Sequence, residues 1–276
     1  MARSKRKRAG RKASSSPQHV AQSLRPPKKP LLALIVAAVA IGALLLSPPG
    51  RDVVGLGGGP PTLTAAIVDQ LGATYPSPAF AEAATDTLEQ AGYDVDYYPP
   101  EEVTVEFYRD LPRGDYDLIV LRNHSTAEIT RGEEDVRSVS LFTNEPYSRD
   151  RYYAEQLEGR IGFAQYSEHG PQYFGITAEF IESSMEGRFD GTTIVMMGCQ
   201  GLLNDLAAEA FARKGAGDYI SWDGLVSADH TDTATLSLLH HLTVDNMPTD
   251  EAVATTMDDV GPDPSHGSQL LLYRPG

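Results

Sequence analysis

DLIVLRNHS (117–125) and TTIVMMGCQG (192–201) are the two stretches on which the fold turns. Each is a short, nearly unbroken apolar run, which is how a strand reads when both faces of its sheet are covered; a half-exposed strand would alternate apolar with polar. Parallel strands of that kind need crossover helices, so strand and helix patterns should alternate on either side.

Outward from these runs they do. Leu63 to Val68 reads as a strand, Ser77 to Ala91 as an amphipathic helix closed by Gly92, and Asp94 to Tyr98 as a strand stopped by Pro99 and Pro100. Glu101 to Leu111 has helical spacing, as does Leu203 to Lys214 before Gly215. Tyr219 to Trp222 is a fifth strand, Asp229 to Leu242 and Thr249 to Val260 are helices, and Gln269 to Tyr273 is a last strand. The expectation is an α/β three-layer sandwich over residues 62–276, built on a mainly parallel sheet of about six strands. Between the two quoted runs lies an insertion, about 138–189, with hairpin-like stretches at Ser138 to Phe142 and Ile161 to Gln165 and a high density of aromatic residues. It reads as a β-ribbon shielding a sheet edge or as a wall of a binding site.

The chain has 276 residues with 23 Lys+Arg against 38 Asp+Glu, a net charge of −15, and one cysteine. Ordinary apolar content excludes wholesale disorder, and a lone cysteine excludes a disulfide scaffold. The charge is divided unevenly. Residues 1–30 form a basic tail without an acidic residue, and Leu31 to Leu46 (LLALIVAAVAIGALLL) lacks any polar side chain. At about 1.5 Å per residue these sixteen positions span roughly 24 Å, short of a ~30 Å hydrocarbon core but within reach if Lys28 and Lys29 snorkel. The segment reads as an uncleaved transmembrane anchor, since no A-x-A site precedes Ser47. By the positive-inside rule the tail is cytoplasmic and residues beyond the Pro/Gly linker 47–61 face outward. A strongly acidic outer domain has little attraction for nucleic acid.

In open α/β sheets, ligands bind beyond the carboxyl ends of the strands. His124 and Cys199 stand just past the two apolar runs; on neighbouring strands they would emerge on one edge within reach of each other. A free thiol attacks as thiolate, and an imidazole together with a following helix N-terminus would promote that. Other polar positions read more plainly. Asp69 caps the loop after the first strand, Trp222 is a core or rim aromatic, Asp229, His230 and Asp232 open a helix, and His240 and His241 close it. Neither those acids nor His230 has a further ligand that would complete a metal site.

An apolar strand ending in His and a later one ending in Cys resemble the caspase-like cysteine peptidases, the group of caspases, metacaspases, gingipains, clostripain and legumain. The resemblance rests on LIVLRNHS and TIVMMGCQG and extends over 62–276. It implies Cys199 as nucleophile, His124 as general acid and base, an oxyanion hole from the backbone N–H groups of Ser125 and Cys199, and a peptide or protein substrate, with no metal or organic cofactor. It also implies that Asp69 helps form the pocket for the residue before the scissile bond, favouring basic residues, and that Trp222 is a pocket wall. A homodimer is compatible with it. The chain departs from the family in having Ser125 after the histidine and Gly198 before the cysteine, where Gly and Ala are usual. His169-Gly170 offers a competing histidine 30 residues before Cys199. The alternatives are a non-catalytic tethered sensor or binding module, and a glutamine-amidotransferase-like cysteine hydrolase with His230 as the nearest base.

Overall fold

A computed structural model describes residues 62–129, 136–167 and 169–276. The basic tail, the anchor Leu31 to Leu46 and the linker 47–61 lie outside the described residues. Among those described, no helix is long and apolar enough to cross a membrane.

The main sheet has six strands: β1 (Leu63–Asp69), β2 (Tyr93–Tyr98), β3 (Leu118–Arg122), β8 (Thr193–Met196), β9 (Asp218–Trp222) and β10 (Leu270–Tyr273). Their spatial order is β10-β9-β8-β3-β1-β2, with only β10 antiparallel to its neighbour. Alternate residues of each central strand enter two separate cores, as a pleated strand covered on both faces requires. Ala65, Ile67, Leu118, Val120 and Val195 pack with α1 (Pro78–Gln90), α6 (Ala228–Leu239) and α7 (Thr249–Val260). Ala66, Val68, Ile119, Leu121 and Ile194 pack on the opposite side with α2 (Val105–Asp110), α4 (Ala178–Ser183) and α5 (Leu206–Arg213). The α/β three-layer architecture follows directly from the apolar runs.

Two boundaries differ from expectation. The insertion begins at Ser125, not near 138, and builds a separate antiparallel sheet from β4 (Ser125–Ile129), β5 (Val136–Pro146), β6 (Ile161–Ala164) and β7 (Tyr173–Ile176), in the order β4-β5-β7-β6; α3 (Tyr153–Leu157) precedes β6. Leu141, Phe174 and Ile176 anchor this sheet in the core on the α5 side. It is a separate sheet packed on the core rather than a β-ribbon along an edge of the main sheet. The helix expected from Leu203 begins at Leu206, with turns occupying the residues after Cys199.

Candidate active site

β3 and β8 pair in parallel from Leu118 opposite Thr193 to Leu121 opposite Met196, and the Met197 N–H donates to Leu121 O at 3.0 Å. His124 and Cys199 follow the ends of these two adjacent strands, two and three residues beyond Arg122 and Met196. Both side chains line one cavity of about 500 Å³ at the carboxyl edge of the sheet. His124 also borders a second cavity of about 550 Å³, walled by Phe142 and Tyr166 of the insertion.

The sulfur is held against the loop that follows β9. Val226 N–H donates to Cys199 Sγ at 3.5 Å, and the thiol donates to Val226 O at 3.6 Å. Burial pushes the thiol pKa up; the Val226 contact opposes this and the charge of Asp263 adds to it. The helix N-terminus expected beside the sulfur does not serve it, because α5 starts seven positions later, at Leu206. Gln200 instead turns the chain with φ of 61°, a strained conformation for a residue with a Cβ, of the kind that collects at functional sites. Two hydrogen bonds hold that turn: Gln200 N–H to Gly224 O at 2.7 Å and Ala127 N–H to Gln200 Oε1 at 3.1 Å.

Thr74 orients the imidazole. His124 Nε2 lies 2.8 Å from Thr74 Oγ1, whose hydroxyl donates to Leu71 O at 3.2 Å. With the hydroxyl proton directed there, Nε2 carries the ring proton and Nδ1 is left as the base. Tyr166, Phe142 and Tyr75 surround the ring, with centroids 4.6, 5.7 and 5.9 Å away. That burial, with the positive charge of Arg122 behind it, lowers the imidazole pKa to about 4. A raised thiol and a lowered imidazole make the resting pair neutral, and no hydrogen bond joins them in this conformation.

Ser125 and Gly198, the two departures from the family pattern, fit each other. A Cβ at position 198 would collide with Ser125 Oγ and would lie 2.5 Å from Asn123 O, so the serine takes space that an alanine would need. Ser125 Oγ donates to Cys199 O, tying the two loops together. The serine does not have positive φ and is not strained. Along β4, alternate N–H groups face away from β5; Ala127 N–H uses that direction to reach Gln200, and Ser125 N–H points the same way.

Asp69 does not offer a free carboxylate. It is 4% exposed, accepts from Arg122 Nη1 at 2.7 Å, from Tyr97 Oη at 2.8 Å and from Gly72 N–H at 2.9 Å, and so caps its loop as an ion-paired group. Arg122 binds Asp232 through both Nε and Nη2 at 2.8 Å. Trp222 is no pocket wall: it is fully buried, and its Nε1–H donates to Thr231 Oγ1 at 2.9 Å. His169 is exposed in the turn between β6 and β7 and lines neither cavity. His230 Nε2 faces Gly261 O at 3.1 Å, and His241 sits between Asp245 and Asp259. Among the described residues no group of three or more His, Cys, Asp or Glu is arranged to hold a metal ion.

Sequence reading missed Thr74, Val226, Asn123, Asp263 and His266. Asp263 is a fully buried carboxylate that accepts from Ser227 N–H and Oγ–H at 2.8 Å, and from His266 N–H and Nδ1–H at 2.9 Å. Burial alone would raise its pKa, but these hydrogen bonds outweigh it and hold the group well below the usual carboxylate range. The segment PDPSHG (262–267) signals only a turn in sequence. No protein-family model matches the chain, and no curated protein matches it.

Proposed function

We propose that the chain is a cysteine peptidase resembling the caspase-like group, held in the membrane by Leu31 to Leu46 with its 62–276 domain outside. The observation that carries this reading is that His124 and Cys199, just past the ends of two adjacent strands, line one cavity. When a peptide carbonyl enters, the thiol leaves Val226 and gives its proton to His124 Nδ1 as the C–S bond forms. The carbonyl oxygen, now negative, meets the backbone N–H groups of Cys199 and Ser125. Its collapse breaks the C–N bond, and the imidazolium protonates the departing amine. Water then gives a proton to Nδ1 while its oxygen attacks the thioester carbon. The C–S bond breaks, the acid product leaves, and the imidazolium returns its proton to sulfur. Thr74 holds the proton on Nε2 throughout, so that only Nδ1 exchanges protons. The scheme calls for no metal or organic cofactor, and it applies to a monomer or a homodimer.

The sulfur's contact with Val226 favours a second reading, a tethered binding module in which Cys199 is structural. Hydrolysis of a mixed fluorogenic peptide library by the full chain in detergent separates the two. Cys199→Ala and His124→Ala should each lower the rate by about 10²–10⁴-fold. Retained activity in both variants would overturn the dyad. A Cys199 that reacts with iodoacetamide only after unfolding would favour the module.

A further inference from the structure

The two cavities divide the reacting pair. Cys199 and His124 both line the first, whereas His124 without Cys199 borders the second, of about 550 Å³. Cleavage of a peptide bond sorts its two halves in the same way. The acyl half becomes bonded to sulfur and stays where Cys199 is. The amine half takes its proton from His124, so its nitrogen must come within hydrogen-bond reach of the ring, and its side chain branches from the next carbon. The cavity that borders the imidazole alone is the place for that side chain.

Its walls are aromatic and uncharged. Tyr166 is half-buried and lies nearly parallel to Phe142, with centroids 5.5 Å apart and planes inclined by 20°. Phe142 is 2% exposed, so it backs Tyr166 and fixes the ring in place. Tyr75 borders both cavities, stands 56% exposed, and meets the imidazole edge-on at 5.9 Å. Two hydroxyls on the same wall are already committed: Ser125 Oγ–H donates to Cys199 O, and Thr74 Oγ1–H to Leu71 O at 3.2 Å. Among the described residues lining this cavity there is no Asp, Glu, Lys or Arg. An occupant therefore gains mainly by removing apolar surface from water and by ring–ring contact. The volume falls in the range of about 300–1,000 Å³ that holds whole small molecules, which leaves room for any natural side chain.

Building on the peptidase reading, we infer that the second cavity is the subsite for the residue after the scissile bond and that it selects a large apolar, above all aromatic, side chain through Tyr166 and Tyr75. The selecting rings come from the insertion and from the loop after β1, not from the strand ends that carry the dyad. An aromatic occupant packs on Tyr166, holds its own amide nitrogen beside His124, and keeps bulk water from the imidazole while the C–N bond breaks.

The test uses the full chain in detergent and internally quenched peptides, built on a sequence it cleaves and varied only at the residue after the scissile bond: glycine, alanine, leucine, phenylalanine or tryptophan. Phenylalanine or tryptophan should exceed glycine by about 10–100-fold in kcat/KM, the range expected for burying one large apolar side chain. Tyr166→Ala should narrow that ratio, whereas Tyr166→Phe, which keeps the ring and loses only the hydroxyl, should preserve it. A second measurement needs no turnover. In Cys199→Ala, phenylalaninamide should displace the His124 ring proton resonances, glycinamide at the same concentration should not, and adding Tyr166→Ala should abolish the displacement. Glycine cleaved as fast as phenylalanine, or equal displacement by the two amides, overturns the subsite while the peptidase reading stands. Displacement by phenylalaninamide without cleavage of any peptide supports the aromatic pocket and overturns the peptidase. Neither cleavage nor displacement overturns both.

Discussion

The two sheets of this protein contribute to the site in opposite ways. The main sheet supplies the reacting groups from strand ends that continuous apolar runs announce, whereas the insertion sheet supplies the aromatic surroundings of His124 from strands of which the sequence marks only two, β5 and β6. β4 starts at Ser125, immediately after His124, and ties back to the cysteine loop through Ser125 Oγ and Ala127 N–H. Phe142 and Tyr166, from the same insertion, bury the imidazole. Position and environment are therefore set by different layers: one fixes where His124 and Cys199 stand, the other helps bury the imidazole of His124.

Three experiments probe this division. The largest effect should come from the main sheet. Arg122→Met leaves Asp69 and Asp232 facing each other without their shared cation, and loss of one member of such a buried cluster costs about 3–5 kcal/mol, visible in denaturant unfolding of the full chain. A loss well below 1 kcal/mol would mean that this edge is held by packing alone. At the junction of the two sheets, Gly198→Ala should cost about 1–3 kcal/mol by overpacking, and adding Ser125→Gly should recover part of it. Full recovery is not expected, because Asn123 O remains 2.5 Å from the new methyl. Independent effects of the two changes would show that the layers are not bolted together there.

The smallest effect belongs to the insertion sheet. Tyr166→Ala uncovers one face of His124, and its pKa should climb from about 4 toward the ordinary imidazole value, as read by ring proton resonances. In the unaltered protein, a folded pKa below the unfolded value near ~6.5 means that the unfolded chain binds more protons between the two. Stability is then full above about pH 6.5 and falls as the pH drops toward 4, by something on the order of 1 kcal/mol once partial exposure is allowed for. That acid-side loss should shrink in Tyr166→Ala. An unmoved titration would assign the burial of His124 to Phe142 and Tyr75 instead.

How much was legible follows from how far apart the interacting residues are in sequence. His124 and Cys199 could be found because each ends a run whose composition marks a doubly covered strand, a local property. Asp69 caps its loop as the residues suggested, but the pocket role implied by the resemblance does not fit, because its ion-pair partner stands 53 positions later and a carboxylate at a strand end looks free until that partner is placed. Thr74 and Val226 carry no signal, since a threonine in a loop and a valine after a turn become orienting groups only through contacts with residues 50 and 27 positions away. Two of the four insertion strands, β4 and β7, escaped the pattern test because STAEI and YFGI offer too few residues to establish a period.

Sequence by itself determined the α/β class, the strands and helices of the main sheet, and the two residues at its carboxyl edge, because burial on both faces of a parallel strand dictates composition within a handful of neighbouring positions. Only the tertiary structure decided which charges are neutralised, which nitrogen of His124 is held, and where the sulfur rests. Those depend on hydrogen bonds and ion pairs made across the fold, whose partners are chosen by proximity in space and leave no periodic trace in the chain.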